Sequence, residues 1–452
     1  MAGVALPKRF WYAKIMIGLF LVGGLYFLAY SYGRAELIYH GHESASVQKY
    51  YLIAVVGIVF WSAVLFLSHE TQLALVLITK SIIFAFYLIE GIVFLTLSFS
   101  ASQPLKENHS GIFFDTRSKQ EVIKDFKDQG IDAVTSVHPW ALIDDYDFLN
   151  SMTTPLLPLG GIANKTVVHC NESGHYAVYQ SDRFGFNNPD FVWGHKMIDW
   201  FLIGDSFVHG ACVSEGFDIA SQIRLQTGGS VINVGSSGNG PLIELATLTE
   251  YAEDQKPKHV LWFYYEGNDL ERNLRKEKKS QLLMQYLESG FSQRLRAKQP
   301  KIDTLLLNYI SQQKQRKEAV DYKRLLRLFH LRERLGLNRL VVNVEPLFIE
   351  IMSHARDRVR KWGGELYFIY VPEFYRYAGD IKDHDGYRKR KLVIDTVEAL
   401  GIPVVDLHQD FFSNVVDPLS FFPLKMAKHY TAQGYQQVAK TVVNQVNLFS
   451  HH

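Results

Sequence analysis

Ser206 is the residue whose surroundings best suit covalent chemistry. It follows Gly204 and Asp205 at the end of an apolar run, and a helical pattern begins just downstream. Acyl transfer needs an exposed nucleophile on a rigid corner, a base to take its proton, and donors aimed at the developing oxyanion. A serine between a strand and a helix meets the first need. The Gly-Asp-Ser tripeptide alone equally fits a turn whose serine caps a helix.

Three further groups follow in chain order. The turn Gly235–Gly240 contains Gly238, whose backbone N–H can approach an oxyanion closely because glycine tolerates positive φ. Asn268 offers a side-chain amide donor after a later apolar run, and His429 precedes a C-terminal helical pattern. Each feature alone fits a tight turn or a structural histidine. All of them in this order indicate an active site.

The segments that carry these residues predict a parallel sheet covered by helices on both faces. Short, continuously apolar strands alternate with helical patterns, as is typical of such sheets. The predicted strands are MIDWFLI, SVINV, HVLWFYY, ELYFIYV and IPVVDL. Functional groups gather at the carboxyl ends of strands in open α/β sheets. Ser206, Gly238 and Asn268 all fall at such ends.

Four segments between about Asp199 and Val446 resemble the signature blocks of SGNH/GDSL hydrolases. They are GDSF, NVGSSGNG, GND and HYTAQGY. The resemblance implies a flavodoxin-like three-layer α/β/α fold with Ser206 as nucleophile and His429 as base. It also implies an oxyanion hole built from the Ser206 N–H, the Gly238 N–H and the Asn268 side chain, and chemistry that needs no cofactor.

Two positions depart from the family pattern. The aspartate that usually stands three residues before the histidine is replaced by Met426. A backbone carbonyl, Asp417 or Asp406 would then have to orient the imidazole. Glu266 stands where the third block commonly begins with glycine. We expect Glu266 to contact substrate or to support a neighbouring loop, and we count Asp269 as a second candidate substrate contact.

The first hundred residues predict three transmembrane helices. Apolar stretches run over residues 10–32, 51–68 and 73–99, each close to the roughly 20 residues that cross a bilayer. Basic residues before the first stretch favour a cytoplasmic N-terminus, so three spans would place the large domain outside the inner membrane, in the periplasm. A cleaved signal peptide is one alternative. Two spans, with a cytoplasmic domain, are another, because Lys80 and Glu90 interrupt the third stretch.

Composition changes along the chain predict its domains. After the three spans (1–100) we expect a linker and small strand-rich preamble (101–195), then the SGNH-like domain (196–452). A basic helical insertion occupies about 270–340. It fits a lid or a surface that meets an anionic membrane or glycan, and it equally fits a solvated helical hairpin.

The cysteines, the histidines and the net charge indicate whether a disulfide, a metal site or a nucleic-acid partner is expected. Cys170 and Cys212 are the two cysteines of the chain, and in an exported domain we expect them to form a disulfide, with two unrelated buried thiols as the alternative. His40, His42 and His408 have no partners at metal-ligand spacing, so no metal site is predicted. The net charge of +2 gives no reason to expect nucleic acid as a partner.

The predicted function is hydrolysis or transfer of an acyl ester, with acetyl as the expected group, on a carbohydrate outside the membrane. The bilayer is the expected partner, and the extra spans suggest a membrane protein that supplies the acyl group. A catalytically degenerate SGNH domain that binds glycan or scaffolds a complex is the rival that Met426 favours. A lipid esterase or thioesterase would keep the chemistry and change the substrate.

Overall fold

The computed structural model of the chain contains two compact units. It describes residues 8–38, 44–102, 114–145, 148, 156–315, 325–335, 344–378 and 389–450. One unit comprises residues 1–104 together with 318–341, and the other comprises 105–317 together with 342–452. Part of the predicted linker (103–113) and the histidines at positions 40 and 42 lie outside the described residues.

The first unit contains a helix at each of the three predicted apolar stretches. These helices are Lys8–Tyr32, Ser44–Val64 and His69–Ser102. By length and composition, Trp11–Tyr32 and His69–Thr96 can each cross a membrane, whereas the apolar part of the middle helix is shorter, Lys49–Val64. Two candidate spans are therefore present, and a third crossing stays a prediction.

Both charged residues of the third apolar stretch have partners within this unit. Lys80 Nζ donates to the Tyr12 hydroxyl at 2.8 Å. Glu90 is fully buried and accepts the backbone N–H groups of His330 and Leu331 at 3.0 and 2.8 Å. These amides belong to the short helix Phe329–Arg334. A carboxylate buried among apolar helices needs hydrogen-bond donors. The C-terminal part of the basic insertion supplies them and packs against these helices.

The second unit is built on a parallel five-stranded sheet. Its strands are β4 (Trp200–Ile203), β5 (Val231–Asn233), β6 (His259–Tyr265), β7 (Glu365–Val371) and β8 (Val404–Asp406). Their order across the sheet is β5-β4-β6-β7-β8. These strands are the five predicted apolar runs. Almost every residue in them is buried, as a sheet covered on both faces requires.

Helices cover both faces of this sheet. Side chains alternate along a strand, so Phe201 and Ile203 of β4 join one core cluster while Trp200 and Leu202 join another. The first core includes residues from the helices Pro241–Tyr251, Pro346–Lys361 and Arg390–Ala399, and the second from Ile219–Thr227 and Ala432–Ser450. The predicted three-layer α/β/α architecture is confirmed.

A small sheet precedes the large one in the same unit. β1 (Ala133–Thr135) pairs in parallel with β2 (Thr166–Val168), which pairs antiparallel with β3 (Val178–Gln180). Among the described residues, the remaining α-helices of the unit are Lys119–Asp128, Pro139–Asp144, Ser206–His209, Arg275–Glu277, Gln281–Met284, Gln299–Gln315 and Leu407–Asp410. The region predicted as a strand-rich preamble thus contains a three-stranded sheet.

The basic insertion is divided between the two units. Ile302 and Leu306, on the helix Gln299–Gln315, are fully buried in the first core of the α/β unit. Residues 325–335 belong to the helical unit, where the Tyr87 hydroxyl donates to the Leu326 carbonyl at 3.1 Å. Neither described part is a freely solvated hairpin, because each buries apolar or polar groups against its own unit.

Candidate active site

Ser206 begins a short helix directly after β4. Asp205 caps this helix, Ser206–His209, by accepting the Phe207 N–H at 2.9 Å. A Cβ atom on Gly204 would lie 2.5 Å from a methyl carbon of Val208, so only glycine allows the chain to turn this tightly. Ser206 is only partly buried. The turn therefore presents its hydroxyl at the carboxyl end of the sheet.

His429 lies against the Ser206 hydroxyl. Its Nε2 is 2.8 Å from Ser206 Oγ, a hydrogen-bond distance, although 223 positions separate the two residues. The next residue, Tyr430, is buried and donates its hydroxyl to the Pro372 carbonyl at 3.0 Å, which anchors the loop. A histidine so placed can take the serine proton as a general base.

Glu172 contacts the other ring nitrogen of His429. Both carboxylate oxygens lie 3.1 Å from Nδ1, and Oε2 also accepts the His429 backbone N–H at 2.9 Å. Burial alone would raise the pKa of this carboxyl, but the hydrogen bonds and charge of His429 outweigh it and lower the pKa below its ordinary value. Glu172 is therefore ionised near neutral pH and can hold the Nδ1–H tautomer.

The two aspartates predicted to orient His429 are engaged elsewhere, so that prediction is wrong. Asp406 is paired with Arg390 and accepts the His408 N–H at 3.1 Å. Asp417 is half-exposed and accepts a hydrogen bond from Lys425 Nζ at 2.7 Å. Each of these two aspartates thus forms an ion pair with a basic residue of its own, Arg390 for Asp406 and Lys425 for Asp417. Glu172, which sequence analysis missed, holds the orienting position.

A disulfide joins the segment that carries Glu172 to the segment after the nucleophile helix. Cys170 and Cys212 are bonded, with Cα atoms 5.1 Å apart, as the sequence predicts. Cys170 stands two residues before Glu172, and Cys212 follows the helix Ser206–His209. The cross-link therefore ties the acid to the same end of the sheet as the nucleophile. It also occupies the Cys212 sulfur, which excludes Cys212 as a metal ligand.

The predicted oxyanion donors are held by a second asparagine. Asn273 is buried and donates from Nδ2 to Asn268 Oδ1 and to the Asn239 carbonyl, both at 2.9 Å. Because Asn268 Oδ1 accepts this hydrogen bond, the orientation of the Asn268 amide is fixed and its Nδ2 is left to donate elsewhere. Gly238 has φ of +80°, and a Cβ there would lie 2.9 Å from the Trp140 ring. Glycine is therefore required on both conformational and steric grounds.

Glu266 and Asp269, the two candidate substrate contacts, are buried and hydrogen-bonded within the protein. Glu266 accepts hydrogen bonds from the Tyr370 hydroxyl at 2.6 Å and from the Glu373 N–H at 2.8 Å, and it pairs with Arg376. Asp269 is fully buried and accepts the Tyr265 N–H at 2.6 Å. Glu266 thus fixes the loop after β7, the second role that the sequence allowed for it.

Four carboxyl groups are buried beneath the site. They are Asp205, Glu244, Asp269 and Glu277. Burial raises the pKa of Asp205 to about 6 and that of Glu277 to about 7. Burial, followed by repulsion from the other acids, raises the pKa values of Glu244 and Asp269 well above their ordinary range. The cluster therefore favours protonated carboxyls in the folded protein.

A mostly apolar groove of about 360 Å³ lies beside the catalytic loops. Its walls include Val213, Phe217, Leu424 and Tyr430, with Thr431 among the polar groups. Tyr430 and Thr431 directly follow His429 in the chain. The groove is therefore adjacent to the segment that carries the candidate base.

Among known proteins, no family model and no curated protein matches the chain in sequence. Solved structures with a similar fold include a lipolytic protein of the G-D-S-L family from Desulfitobacterium hafniense DCB-2, at 13% identity and a TM-score of 0.28. The alignment covers 55% of this chain and 98% of that one.

Two further solved structures are similar at the same level. One is the lipase/acylhydrolase from Enterococcus faecalis, at 15% identity and a TM-score of 0.33, covering 55% of this chain and 95% of that one. The other is LAE5, an alpha/beta hydrolase enzyme from the metagenome of Lake Arreo, Spain. It is 13% identical with a TM-score of 0.31, and the alignment covers 56% of this chain and 97% of that one.

Proposed function

We propose that the chain is a serine ester hydrolase or O-acyltransferase of the SGNH/GDSL type. The observation that carries the proposal is the continuous hydrogen-bonded series from Ser206 through His429 to Glu172. Nucleophile, base and orienting acid in this order are the arrangement that activates a serine for acyl transfer. The exposure of the Ser206 corner fits attack on a substrate from outside.

The proposed reaction has two steps. Ser206 Oγ attacks the ester carbonyl while His429 Nε2 takes its proton, and Glu172 stabilises the imidazolium. The N–H groups of Ser206 and Gly238 and the amide of Asn268 stabilise the oxyanion. Collapse expels the alcohol, which receives the proton from His429 and leaves an acyl-serine. Water or a second hydroxyl then attacks with the same base and releases Ser206.

As the substrate we propose an acyl ester, acetyl first, on a carbohydrate outside the inner membrane. Two helices long enough to cross a bilayer support attachment to the membrane. The disulfide between Cys170 and Cys212 supports an oxidising compartment such as the periplasm. Transfer to a sugar hydroxyl would need an acyl donor, and a membrane protein partner is its proposed source.

The apolar groove favours a second candidate, a lipid esterase or thioesterase. Val213, Phe217 and Leu424 give it walls that suit an acyl chain longer than acetyl. A series of p-nitrophenyl esters from acetate to dodecanoate distinguishes the two substrates. A kcat/KM that is highest for acetate supports the carbohydrate esterase, whereas a rise with chain length supports the lipid enzyme.

Labelling by a fluorophosphonate probe tests the proposed chemistry directly. We expect the purified full-length protein to be labelled, and Ser206→Ala and His429→Ala to abolish labelling. Ser413→Ala and His354→Gln are matched controls on exposed surfaces and should label like wild type. A folded wild-type protein that takes no label would instead support the catalytically degenerate binding or scaffolding domain.

A further inference from the structure

Three histidines meet in the interior of the α/β unit, and none of them belongs to the series Ser206–His429–Glu172. His138, His169 and His209 each offer a ring nitrogen, and these nitrogens all lie within 4.8 Å of one another. The ring centroids are 4.5 Å apart for His169 and His209, and 5.2 Å apart for the other two pairs. His169 and His209 are buried and His138 is partly buried. The three rings therefore form one cluster.

Each histidine comes from a different element. His138 precedes the helix Pro139–Asp144, His169 follows β2 (Thr166–Val168), and His209 ends the nucleophile helix Ser206–His209. No spacing in the sequence indicates this convergence, which explains why sequence analysis predicted no metal site. The cluster links the small sheet to the helix that begins with Ser206.

Two serine hydroxyls hold two of the rings by their Nδ1 atoms. Ser236 Oγ lies 2.9 Å from Nδ1 of His138, and Ser136 Oγ lies 2.8 Å from Nδ1 of His169. Histidines that bind metals are commonly held in this way, because a partner for one ring nitrogen fixes the tautomer that leaves the other as a ligand. The Nε2 atoms of His138 and His169 are then the coordinating atoms.

Several of the remaining nitrogens have no protein partner among the described residues. These are Nε2 of His138 and both ring nitrogens of His209, all of them buried. A buried polar atom left without a partner costs about 1–3 kcal/mol. Three such atoms in one cluster call for a ligand that accepts electron pairs.

A small cavity adjoins the cluster. Its volume is about 20 Å³, and His138, His209, Gly235 and Ser236 contribute to its walls. A site needs about 10–15 Å³ to hold one water-sized species. There is room for a single ion or water and for nothing larger.

We propose that His138, His169 and His209 bind one divalent transition-metal ion of the zinc type. Neutral imidazole is a preferred ligand of Zn²⁺, with bonds of about 2.0–2.1 Å, so binding would draw the three nitrogens closer together than they now lie. Water in the cavity would complete a tetrahedral shell. The ion fastens the small sheet to the nucleophile helix, and it takes no part in the proposed acyl transfer.

Metal binding by the full-length protein in detergent tests this proposal. After treatment with chelator and removal of the chelator, titration with ZnCl₂ should show one site per chain and a rise in Tm. CoCl₂ should give the visible absorption of tetrahedral Co²⁺. His138→Gln and His169→Gln should abolish the site, and Ser136→Ala should weaken Zn²⁺ binding about 10–100-fold, as removal of a hydrogen-bond partner of a ligand does.

His259→Gln is the matched control, a buried histidine at the start of β6 that should keep full binding. If wild type takes up no stoichiometric Zn²⁺ and its Tm does not move, the proposal is overturned. Unchanged binding in the folded ligand variants overturns it as well. Should those variants fail to fold, the Ser136→Ala titration decides, because an affinity equal to that of wild type contradicts the site. These readouts are independent of esterase activity.

Discussion

Glu172 holds the imidazole of His429 through both carboxylate oxygens, each 3.1 Å from Nδ1, across 257 positions of sequence. The same carboxylate accepts the His429 backbone N–H. The acid therefore fixes the backbone as well as the ring. It fills the position left open by Met426, which is substantially exposed.

Replacement of Glu172 should reduce catalysis more than binding. We expect Glu172→Gln to lower kcat for p-nitrophenyl acetate by up to about 10⁴-fold with little change in KM, because an amide favours the wrong imidazole tautomer. Steady-state kinetics check this. Asp417→Asn is the control, since its exposed ion pair with Lys425 should be worth at most about 1 kcal/mol. Equal activity of Glu172→Gln and wild type would show that the acid is not part of the machinery.

Asn273 should act on the reaction through Asn268. Removal of one oxyanion donor costs about 10²–10³-fold in kcat, and we expect Asn268→Ala to lose this much. Asn273→Ala should lose less, with KM little changed, because it leaves the Asn268 amide in place but unheld. In the Asn268→Ala background the second substitution should have almost no further effect on kcat. Fully additive losses would mean that Asn273 acts only on stability.

Much of this site could be predicted from sequence because its parts are local. Ser206, the turn with Gly238, and Asn268 each directly follow an apolar strand, and strand ends converge by the geometry of a parallel sheet. Glu172 carries no such signal, since it lies in a loop of the small sheet. Cys170, two residues earlier, did carry a sequence signal for its position. The predicted pairing with Cys212, six positions after Ser206, already implies that this loop reaches the nucleophile.

Contacts between residues far apart in sequence explain why the roles of Glu90 and Glu266 differ from those that the sequence suggested. A glutamate within an apolar run and a basic insertion look unrelated in sequence, but Glu90 accepts the backbone N–H groups of two residues in a helix that lies about 240 positions later. Likewise, Glu266 looked available to substrate because its partner Arg376 is 110 positions away. Charge patterns alone cannot identify such pairs.

Loss of the disulfide should reduce both stability and activity. Closing a loop of this kind stabilises a fold by about 2–4 kcal/mol, so Cys170→Ser/Cys212→Ser should lower Tm by about 4–16 °C. We also expect a lower kcat below the melting range, because the Glu172 loop is released. Differential scanning fluorimetry and ester hydrolysis measure the two effects. Reduction of wild type with dithiothreitol should give the same result. An unchanged kcat would show that the disulfide is not needed to hold Glu172 at His429.

The buried acids should make the fold less stable as pH rises. A carboxyl whose pKa is raised by folding contributes stability that is complete below its unfolded pKa and is lost as pH rises through its folded pKa. For Glu277 this window runs from its ordinary value of 4.5 to about 7, and for Asp205 from 3.8 to about 6. We therefore expect Tm to fall between pH 5 and pH 8.

Glu244→Gln should flatten this pH dependence. Glu244 is fully buried, and burial followed by repulsion from Asp269, Glu277 and Asp205 raises its pKa well above the ordinary range. A neutral amide should raise Tm at pH 8, by about 2–4 °C for each kcal/mol of relieved charge burial, and change it little at pH 5. The exposed Glu398→Gln is the control. A parallel shift at both pH values would indicate a packing effect instead.

The number of membrane crossings should be three, and the turn at residues 65–68, between the second and third helices, distinguishes the alternatives. With a cytoplasmic N-terminus, three spans place this turn in the cytoplasm and the α/β unit outside. Crossing by Trp11–Tyr32 and His69–Thr96 alone places the turn outside and the α/β unit in the cytoplasm. We expect alkaline phosphatase to be inactive when it is fused at Leu67 and active when it is fused at the C-terminus, because this enzyme is active only outside the cytoplasm.

Green fluorescent protein fused at the same two positions should show the opposite pattern. Reversal of both patterns would place Ser206 in the cytoplasm, where neither the disulfide nor an extracellular carbohydrate substrate is expected.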